Sequence, residues 1–313
     1  MTVSVPLTAS LRAVKTRRRA LRETRTAWAM TAPAAAGLAA FVLAPFLLAI
    51  WLSFHFVNID SVLPPRWFGV EQYRRLLADA GFYRSLLNNL VFAAVVVPLQ
   101  TALAVALAVL VNRKLRGMAV FRTLFFMPVV FPMALVAVVW KLIYSPDQLG
   151  MLNAFLHTVS FGHLAPRDWL GSPATALAAI IVMSVWQGVG LQMIIVLAGL
   201  QAINPELYEA ALIDNASAWQ RFRHVTLPGL RNSLIFVVMV TTILSFQLFD
   251  QVYILTQGGP GNATSTLMYR AVDSAFTQGN VGQGAAITVV FFALVLTVTV
   301  IQRRLLREER AIS

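Results

Sequence analysis

The sequence predicts an all-α fold: a polytopic integral membrane protein with six transmembrane helices. Composition is the first reason, because 58% of the 313 residues are hydrophobic and only 12% are charged, far from the composition of soluble domains. Length is the second reason, since six apolar stretches each come close to the ~20 residues that a helix needs to cross the hydrocarbon core. These stretches do not alternate between polar and apolar residues, so helices are predicted rather than strands.

The six predicted spans divide the chain into three parts. A basic N-terminal segment (residues 1–26) precedes a transmembrane domain (residues 27–302), and a basic tail (residues 303–313) follows it. The first apolar stretch is longer than the ~15 residues of a cleavable signal sequence, so we interpret it as a retained first span. The spans lie near residues 27–54, 86–111, 120–144, 174–200, 234–255 and 284–301.

The distribution of positive charge predicts the orientation. The net charge is +12, and most of the 25 lysines and arginines lie before span one, between spans two and three, between spans four and five, or after span six. Cytoplasmic segments of membrane proteins carry such an excess, so both termini and the connection between spans four and five are expected in the cytoplasm. A basic protein can also bind nucleic acid, but this placement indicates topology and contact with anionic membrane lipid, and no nucleic-acid partner is expected.

Polar residues and prolines distinguish spans two and three. Asn88 and Asn89 open span two near its outer end, where bonding to backbone groups explains them at least as well as contact with a transported solute. Gln100 lies nearer the middle of the membrane and is a candidate for lining a pathway. Pro128 and Pro132 each remove a helical hydrogen bond, so span three is predicted to bend.

Span four carries Trp186 and Gln187 near its middle, with Gln192 beyond them. Buried amides have few partners in hydrocarbon and tend to face a neighbouring helix or a water-filled cavity. Trp186 lies too deep to belong to the aromatic belt at the membrane interface. We therefore predict that Trp186 and Gln187 line a substrate pathway, and packing between helices is the alternative for both glutamines.

A polar connection of residues 204–230 separates spans four and five. Asn204 followed by Pro205 is a helix-start signature, which predicts a short helix from Pro205 to about Asp214. One side of this helix is suited to close contact with another chain because it carries Leu207, Ala210 and Ala211.

A second short helix is predicted later in the same connection. Asn215 suits the left-handed conformation that ends helices, and Ser217 with Gln220 has the spacing of a capping box. The helix should end before Pro228, since a proline pushes the preceding residue out of the α region. Its aromatic side chains should share one face, Trp219 and Phe222.

Span five is the most polar span at depth, with Ser245, Gln247, Asp250 and Gln251. In one continuous helix the last three share a face at i, i+3 and i+4 spacing, which predicts that they line the pathway. An ionised carboxylate at the bilayer centre costs about 2.5 to 3.5 kcal/mol by insertion scales, so Asp250 must meet water, a cation or a donor. Its position in the outer half leaves the alternative that it reaches the outer interface. Span six is predicted to be scaffold.

The connection between spans four and five resembles the EAA loop of ABC importer permeases. That loop has the pattern Glu-Ala-Ala, three residues, Gly, nine residues, Ile, one residue and Leu-Pro. The chain fits every spacing of this pattern, with Glu209, Ala210, Ala211, Leu227 and Pro228. Val225 stands at the isoleucine position and Asn215 at the glycine position, where asparagine permits the turn but adds bulk. An interfacial loop helix ended by a proline is the alternative interpretation.

Residues 68–153 and 249–261 also resemble permeases of the carbohydrate-uptake type, in which the helix corresponding to residues 249–261 contributes to the sugar site. The resemblance covers most of the chain and implies an ABC type I importer permease fold in a bacterial or archaeal cytoplasmic membrane. It implies a homologous second permease subunit, two nucleotide-binding ATPase subunits docked on the EAA-like loop, an extracytoplasmic solute-binding protein and a sugar-like solute. ATP and Mg²⁺ would belong to the ATPase subunits, so no cofactor is expected in this chain.

The sequence lacks catalytic and nucleotide-binding motifs. None of the three lysines follows a glycine, which excludes a P-loop. His157 and His163 have no carboxylate at ligand spacing, so no metal site is expected. The absence of cysteine excludes disulfides and thiol chemistry. We therefore expect a non-catalytic translocation subunit. An ion-coupled secondary transporter or channel is the alternative, supported mainly by Asp250, and a membrane anchor or sensor would leave the buried amides unexplained.

Overall fold

The computed structural model describes residue 24 and residues 26–112, 117–147 and 150–305. Nearly all of the predicted N-terminal segment and tail lies outside the described residues, as do residues 113–116 of the basic connection between spans two and three. Two short strands, β1 (His55–Phe56) and β2 (Arg66–Trp67), pair antiparallel. The helices are α1 (Thr26–Ser53), α2 (Glu71–Ala78), α3 (Ala80–Val111), α4 (Met118–Val130), α5 (Met133–Ile143), α6 (Met151–Val159), α7 (Ala176–Gln201), α8 (Pro205–Ile213), α9 (Ala218–Gly229), α10 (Arg231–Phe246), α11 (Asp250–Leu255), α12 (Leu267–Val272) and α13 (Val281–Leu305).

The described residues contain four continuous helices that are long and apolar enough to cross a membrane: α1, α3, α7 and α13. Two bent pairs pass the same test together. They are α4 with α5, which meet at 99°, and α9 with α10, which meet at 66°. Counting each pair as one span gives six, the number predicted from the sequence.

The bend predicted for span three is sharp enough to break the helix. Phe131 precedes Pro132 and has an extended backbone with ψ of 138°, because the proline ring disfavours the α region for the residue before it. Helix α4 therefore ends at Val130 and α5 begins at Met133. Pro128 lies inside α4 and does not end it.

The prediction that span five is one continuous helix is wrong. Helix α10 ends at Phe246 and α11 begins at Asp250. Distant side chains satisfy carbonyls at this break: Asn89 donates to the carbonyl of Phe246 at 3.4 Å, and Thr266 donates to that of Leu248 at 2.8 Å. No proline or glycine marks the break, so its stabilising partners become visible only in the folded chain.

Two prolines lie inside helices shortly after a π-turn. In α1 the turn Ala39–Leu43 is followed by Pro45, and in α9 the turn Phe222–Thr226 is followed by Pro228. The wider turn gives room for the proline ring, which would otherwise strike the carbonyl four residues earlier. The prediction that the second loop helix ends before Pro228 is therefore wrong, because α9 continues to Gly229.

Helices α3 and α7 pack against each other and form the centre of the bundle. Apolar side chains of these two helices and of the elements packed against them build two buried clusters, one at the end of the bundle away from the loop of residues 204–230 and one toward that loop. We call them the outer cluster and the inner cluster. The outer cluster includes Phe92, Val96, Ile180, Met183 and Leu248, and the inner cluster includes Ala104, Ala108, Met193, Leu230 and Val237.

Asparagines at the start of α3 hold the connection between α11 and α13. Asn88 donates to the carbonyls of Asn262 and Ser265 at 2.9 Å each. Asn89 accepts from the N–H of Leu267 at 2.9 Å, in addition to its bond at the α10–α11 break. Both asparagines therefore cap backbone groups, as the sequence suggested.

The same region contains an ion pair between Asp79, at the start of α3, and Arg270 in α12. Nearby, partial burial and then the negative charge of Asp273 raise the pKa of the Tyr269 phenol above its ordinary value.

Candidate functional site

The connection of residues 204–230 forms the predicted pair of short helices. Asn204 caps α8, since its side-chain oxygen accepts from the N–H of Glu206 at 3.0 Å, and Pro205 occupies the first helical turn. The helix ends at Ile213, within one residue of the prediction. No residue of α8 is buried, and two of its candidate coupling residues, Glu209 and Ala210, are exposed.

The turn between the two loop helices is held by local hydrogen bonds. Asn215 has a φ of 55°, the left-handed conformation predicted from its residue type. The N–H of Ala216 donates to the carbonyl of Ala211 at 2.9 Å, as in a Schellman motif. Ser217 and Gln220 form the predicted capping box, with backbone N–H to side-chain oxygen distances of 3.3 and 2.7 Å. Each bond joins residues close in sequence, so the loop encodes its own turn.

A contact between side chains ties the two loop helices together. The Tyr208 hydroxyl of α8 lies 3.0 Å from Oγ1 of Thr226 in α9. On α9 the rings of Trp219 and Phe222 stack at 5.6 Å, which confirms that they share a face. Large apolar side chains exposed on a polar loop are typical of a protein interaction surface. Those on this loop are Leu207, Leu212, Ile213 and Trp219.

A cavity of about 240 Å³ lies between α3, α7 and the break that separates α10 from α11. Gln247 ends α10 and Asp250 begins α11, so the break, rather than one helix face, brings them to the same cavity. Members of both apolar clusters line it too, which places the cavity between the clusters. Five residues predicted for a substrate pathway contribute to the lining: Gln187, Ser245, Gln247, Asp250 and Gln251.

Neighbouring helices hold two of the amides that line this cavity. Gln187 donates to the carbonyl of Phe131 at 3.4 Å, a group at the end of α4. Gln100 donates to the carbonyl of Ser184 at 3.3 Å. The packing role that the sequence left open for Gln187 is therefore present, together with its position at the cavity.

Two polar atoms at this cavity lack partners. Gln192 donates from its amide nitrogen to Thr241 Oγ1 at 2.6 Å, but its carbonyl oxygen is buried without a hydrogen-bond partner among the described residues. Ser184 Oγ is also buried without a hydrogen-bond partner among the described residues. Buried polar atoms normally have a partner, so these two are unsatisfied polar atoms within the wall of the cavity.

Trp186 and Asp250 differ in their relation to the cavity. Trp186 does not line it; its ring lies 5.5 Å from that of Trp140 and is 46% exposed. Asp250 lines the cavity, is exposed and occupies the first position of α11, where free backbone N–H groups favour a carboxylate. Roles for both residues in a substrate pathway stay predictions.

Residues 100–310 match the family described as "Binding-protein-dependent transport system inner membrane component". The matched range contains the 204–230 loop and nearly all of the cavity lining. The chain belongs to this family.

Relatives of this inner membrane component support the assignment along nearly the whole chain. The trehalose/maltose transport system permease protein MalF of Thermococcus litoralis is 34% identical over 289 residues, covering 92% of this chain and 96% of that protein. The lactose transport system permease protein LacF of Rhizobium radiobacter is 33% identical over 288 residues, covering 90% and 94% respectively.

A solved structure gives the same fold. The crystal structure of a bacterial ABC transporter involved in the import of alginate matches with a TM-score of 0.79 and 18% identity, covering 93% of this chain and 98% of that chain. The ABC importer permease fold predicted from the sequence is thereby confirmed.

The inner membrane component also uses residues that sequence reasoning did not assign to the cavity. Gly188 allows Gln100 to approach α7, since a Cβ at this position would collide with the Gln100 amide. The sequence signal for this role of Gly188 was a small residue within an apolar span, which allows neighbouring helices to approach closely. Thr266 donates to the carbonyl of Leu248 at the α10–α11 break beside the cavity. It lies in a connection between helices, and no feature of the sequence pointed to this role.

Proposed function

We propose that this chain is a permease subunit of an ATP-driven, binding-protein-dependent importer for a sugar or sugar-like solute. A homologous second permease would complete the pathway. Two separate nucleotide-binding subunits would hold ATP and Mg²⁺ and hydrolyse the nucleotide, so this chain would have no catalytic residue. Both termini and the 204–230 loop would face the cytoplasm, in accord with the placement of positive charge.

The observation that carries the proposal is the direct connection between the exposed loop and the cavity wall. Helix α7 lines the cavity and leads into α8, while α9 leads through Leu230 into α10, which also lines the cavity. Helix α10 has 16 residues and therefore rises roughly 24 Å from the loop to Phe246. A rigid movement of the loop would shift both helices and change access to the cavity.

The surface of the loop is suited to an ATPase subunit. Its bonded turn and the Tyr208–Thr226 contact join α8 and α9 into one unit, and exposed apolar side chains are available for burial. Glu209 adds an exposed carboxylate for a charged contact. A displacement at Glu209, Ala210 or Ala211 would therefore be transmitted to α10 with little deformation of the loop itself.

The chemistry of the cavity favours a neutral solute. Its polar lining consists of amide and hydroxyl groups and the carboxylate of Asp250, and among the described residues no lysine or arginine lines it, so an anion would find no guanidinium clamp. Amides donate and accept hydrogen bonds, which suits sugar hydroxyls. Relatives named for trehalose, maltose and lactose transport are in accord with a sugar or sugar-like solute. A solute-binding protein would deliver the solute at the outer connections, residues 55–85, 145–172 and 257–283.

Reconstituted transport tests the proposal. The complex that copurifies with this chain would be placed in proteoliposomes with its binding protein, and uptake of ¹⁴C-labelled maltose, trehalose and lactose would be measured. We expect uptake of at least one sugar that requires both ATP on the cytoplasmic side and the binding protein. Uptake that proceeds without ATP and follows an ion gradient would instead support a secondary transporter.

A further inference from the structure

Lys141 is a charged side chain in α5, the second half of the broken third span. It is not among the residues that line the polar cavity. An ionisable side chain in a membrane span is costly, and it is usually paired or functional. The Lys141 ammonium donates to the backbone carbonyl of Ile254, near the end of α11, at 3.2 Å. The charge is therefore directed at the short helix that carries Asp250 into the cavity wall.

The way in which α11 ends explains why the carbonyl of Ile254 is available. The last four carbonyls of a helix have no partner within that helix. Gln257 adopts the left-handed conformation with a φ of 50°, and its N–H donates back to the carbonyl of Val252 at 2.7 Å. The backbone therefore turns away after Leu255, and Lys141 supplies the donor that another helical turn would have given. A cation suits this position, since the C-terminal end of a helix carries partial negative charge.

The residues around Lys141 fix the end of α5 against α7. The Trp140 ring lies 5.5 Å from the ring of Trp186 on α7. The Tyr144 hydroxyl is the donor in a hydrogen bond of 2.9 Å to the carbonyl of Ala179, also on α7, and Tyr144 is buried. Lys141 thus extends from a segment that is held to a central helix by a contact on either side. Its bond to α11 therefore connects α11 with α7 through α5.

Helix α11 depends on such a connection because the break separates it from α10. It has only six residues and rises about 9 Å. It packs on α5 within the outer cluster, through Val252 and Leu255 against Val136 and Ala137. The hydrophobic effect is not directional, so this packing restricts sliding and rotation of α11 less than a hydrogen bond of defined geometry does. The bond from Lys141 adds that directional constraint.

We propose that Lys141 is a positioning residue for the polar cavity. Its bond fixes the end of α11, and this short helix transmits the constraint to Asp250 and Gln251, which line the cavity from its first turn. Without the bond, these two side chains leave the positions in which they meet the solute. The inference deepens the proposed function and rests on it for the solute, whereas the placement of α11 is measurable without transport.

A spin-label distance in the intact complex tests the placement of α11. The chain has no cysteine, so Tyr253→Cys on α11 and Ala198→Cys on α7, both exposed, provide the two attachment points. Ala198 lies 17 residues beyond Ile181 of the outer cluster, about 25 Å along α7, so the pair reports movement of α11 relative to that helix. Double electron–electron resonance in nanodiscs would record the distance distribution.

We expect Lys141→Met, which keeps the length of the side chain but removes its donor, to broaden this distribution and shift its maximum. Lys141→Gln, shorter and uncharged, should do the same, and Lys141→Arg should restore the wild-type distribution. Lys141 is exposed, so these substitutions leave no cavity. Arg122→Met is the matched control, because Arg122 of α4 donates to the carbonyl of Val111, the last residue of α3, at 2.9 Å. It loses the same kind of bond away from α11 and should leave the distribution unchanged.

Sugar uptake by the same variants without labels measures the consequence for the solute. Lys141→Met should raise the KM about fivefold, as loss of one hydrogen bond to the solute would, and should leave kcat within about twofold. Lys141→Arg should restore the KM, and Arg122→Met should leave it unchanged.

Two results would overturn the proposal. One is a distance distribution that neither Lys141→Met nor Lys141→Gln changes, and the other is a changed distribution with an unchanged KM. If the wild-type complex takes up no sugar, the importer function fails, but the distance measurement still decides whether Lys141 positions α11.

Discussion

The loop of residues 204–230 and the break between α10 and α11 are both interruptions of helical structure, but they are stabilised in different ways. The loop is held by partners a few residues apart, such as Ser217 with Gln220. The break is held by Asn89 and Thr266, which lie far from it in sequence or on another element. One interruption is therefore a self-contained surface unit, whereas the other depends on the assembled bundle. This difference suits the proposed function, in which the loop would receive a movement and the cavity would respond to it.

The largest effect is expected from the exposed surface of the loop. Glu209→Lys reverses the charge proposed to contact the ATPase subunit, and uptake should fall by about a hundredfold, as expected when a desolvated charged contact worth about 3 kcal/mol is lost. The variant should still insert, because Glu209 is exposed and buries nothing within the chain. ATP-driven uptake in proteoliposomes measures the effect.

Glu206→Lys is the matched control for this variant, because it reverses an exposed charge one turn earlier on α8. It should cost only the ~0.3–1 kcal/mol of an unfavourable charge at a helix N-terminus, and so should lower uptake much less. Wild-type uptake by a well-inserted Glu209→Lys variant would remove the coupling role from this residue.

The next largest effect concerns the break. Thr266→Val leaves the carbonyl of Leu248 without its side-chain donor, and an unsatisfied buried group costs about 1 to 3 kcal/mol. The melting temperature of the purified complex should fall accordingly. Thr299→Val is the control, since the hydrogen bond of Thr299 among the described residues is to a carbonyl of its own helix at 2.8 Å, and the substitution should have almost no effect. Equal melting temperatures for the two variants would show that the break does not need Thr266.

A smaller effect is expected inside the polar cavity. Gln247→Leu removes one hydrogen-bonding side chain from the cavity wall, and loss of about 1 kcal/mol of binding should raise the KM for sugar uptake about fivefold. The variant should retain its ATPase subunits, because Gln247 lies far from the loop.

Trp186→Phe tests the prediction from the sequence that Trp186 lines the substrate pathway, although its side chain lies outside the cavity lining. Trp186 packs near Trp140 and does not line the cavity, so KM should stay unchanged if direct contact with solute decides affinity. A rise in KM comparable to that of Gln247→Leu would return Trp186 to the substrate pathway.

The smallest effect is expected at the turn of the loop. Asn215 has a φ of 55°, which glycine adopts freely and alanine adopts at a cost of about 1 kcal/mol. Asn215→Gly should keep full uptake, and Asn215→Ala should lower it by less than threefold while reducing thermal stability slightly. A larger loss in the glycine variant would mean that the Asn215 side chain makes a contact beyond the turn.

The features that the sequence predicts correctly are those stabilised by residues close in sequence, as in the loop of residues 204–230. The caps at Asn204 and Ser217 and the left-handed Asn215 depend on neighbouring residues, and all three are found as predicted. Pro132 likewise predicts the bend of span three, because its effect on Phe131 is local. Features that depend on neighbouring residues can therefore be predicted from the sequence alone.

The features that the sequence does not predict require distant partners or a compensating turn. The segment around Leu248 contains no proline or glycine, and only the contacts of Thr266 and Asn89 reveal how its free carbonyls are satisfied. Pro228 carries the signal of a helix end, which the π-turn before it overrides. The cavity still contains most of the predicted polar residues, because amides in hydrocarbon must face a polar partner or water however the backbone bends.

The most direct test of the proposed coupling uses a single cysteine at Ala210, in a chain that has none of its own. A short thiol cross-linker would be applied to inverted membrane vesicles, and the captured protein would be identified by mass spectrometry and nucleotide binding. Our proposal predicts a cross-link to a soluble nucleotide-binding subunit on the cytoplasmic side. Labelling of Ala210→Cys by a membrane-impermeant maleimide from the outer side, with no such cross-link, would contradict it.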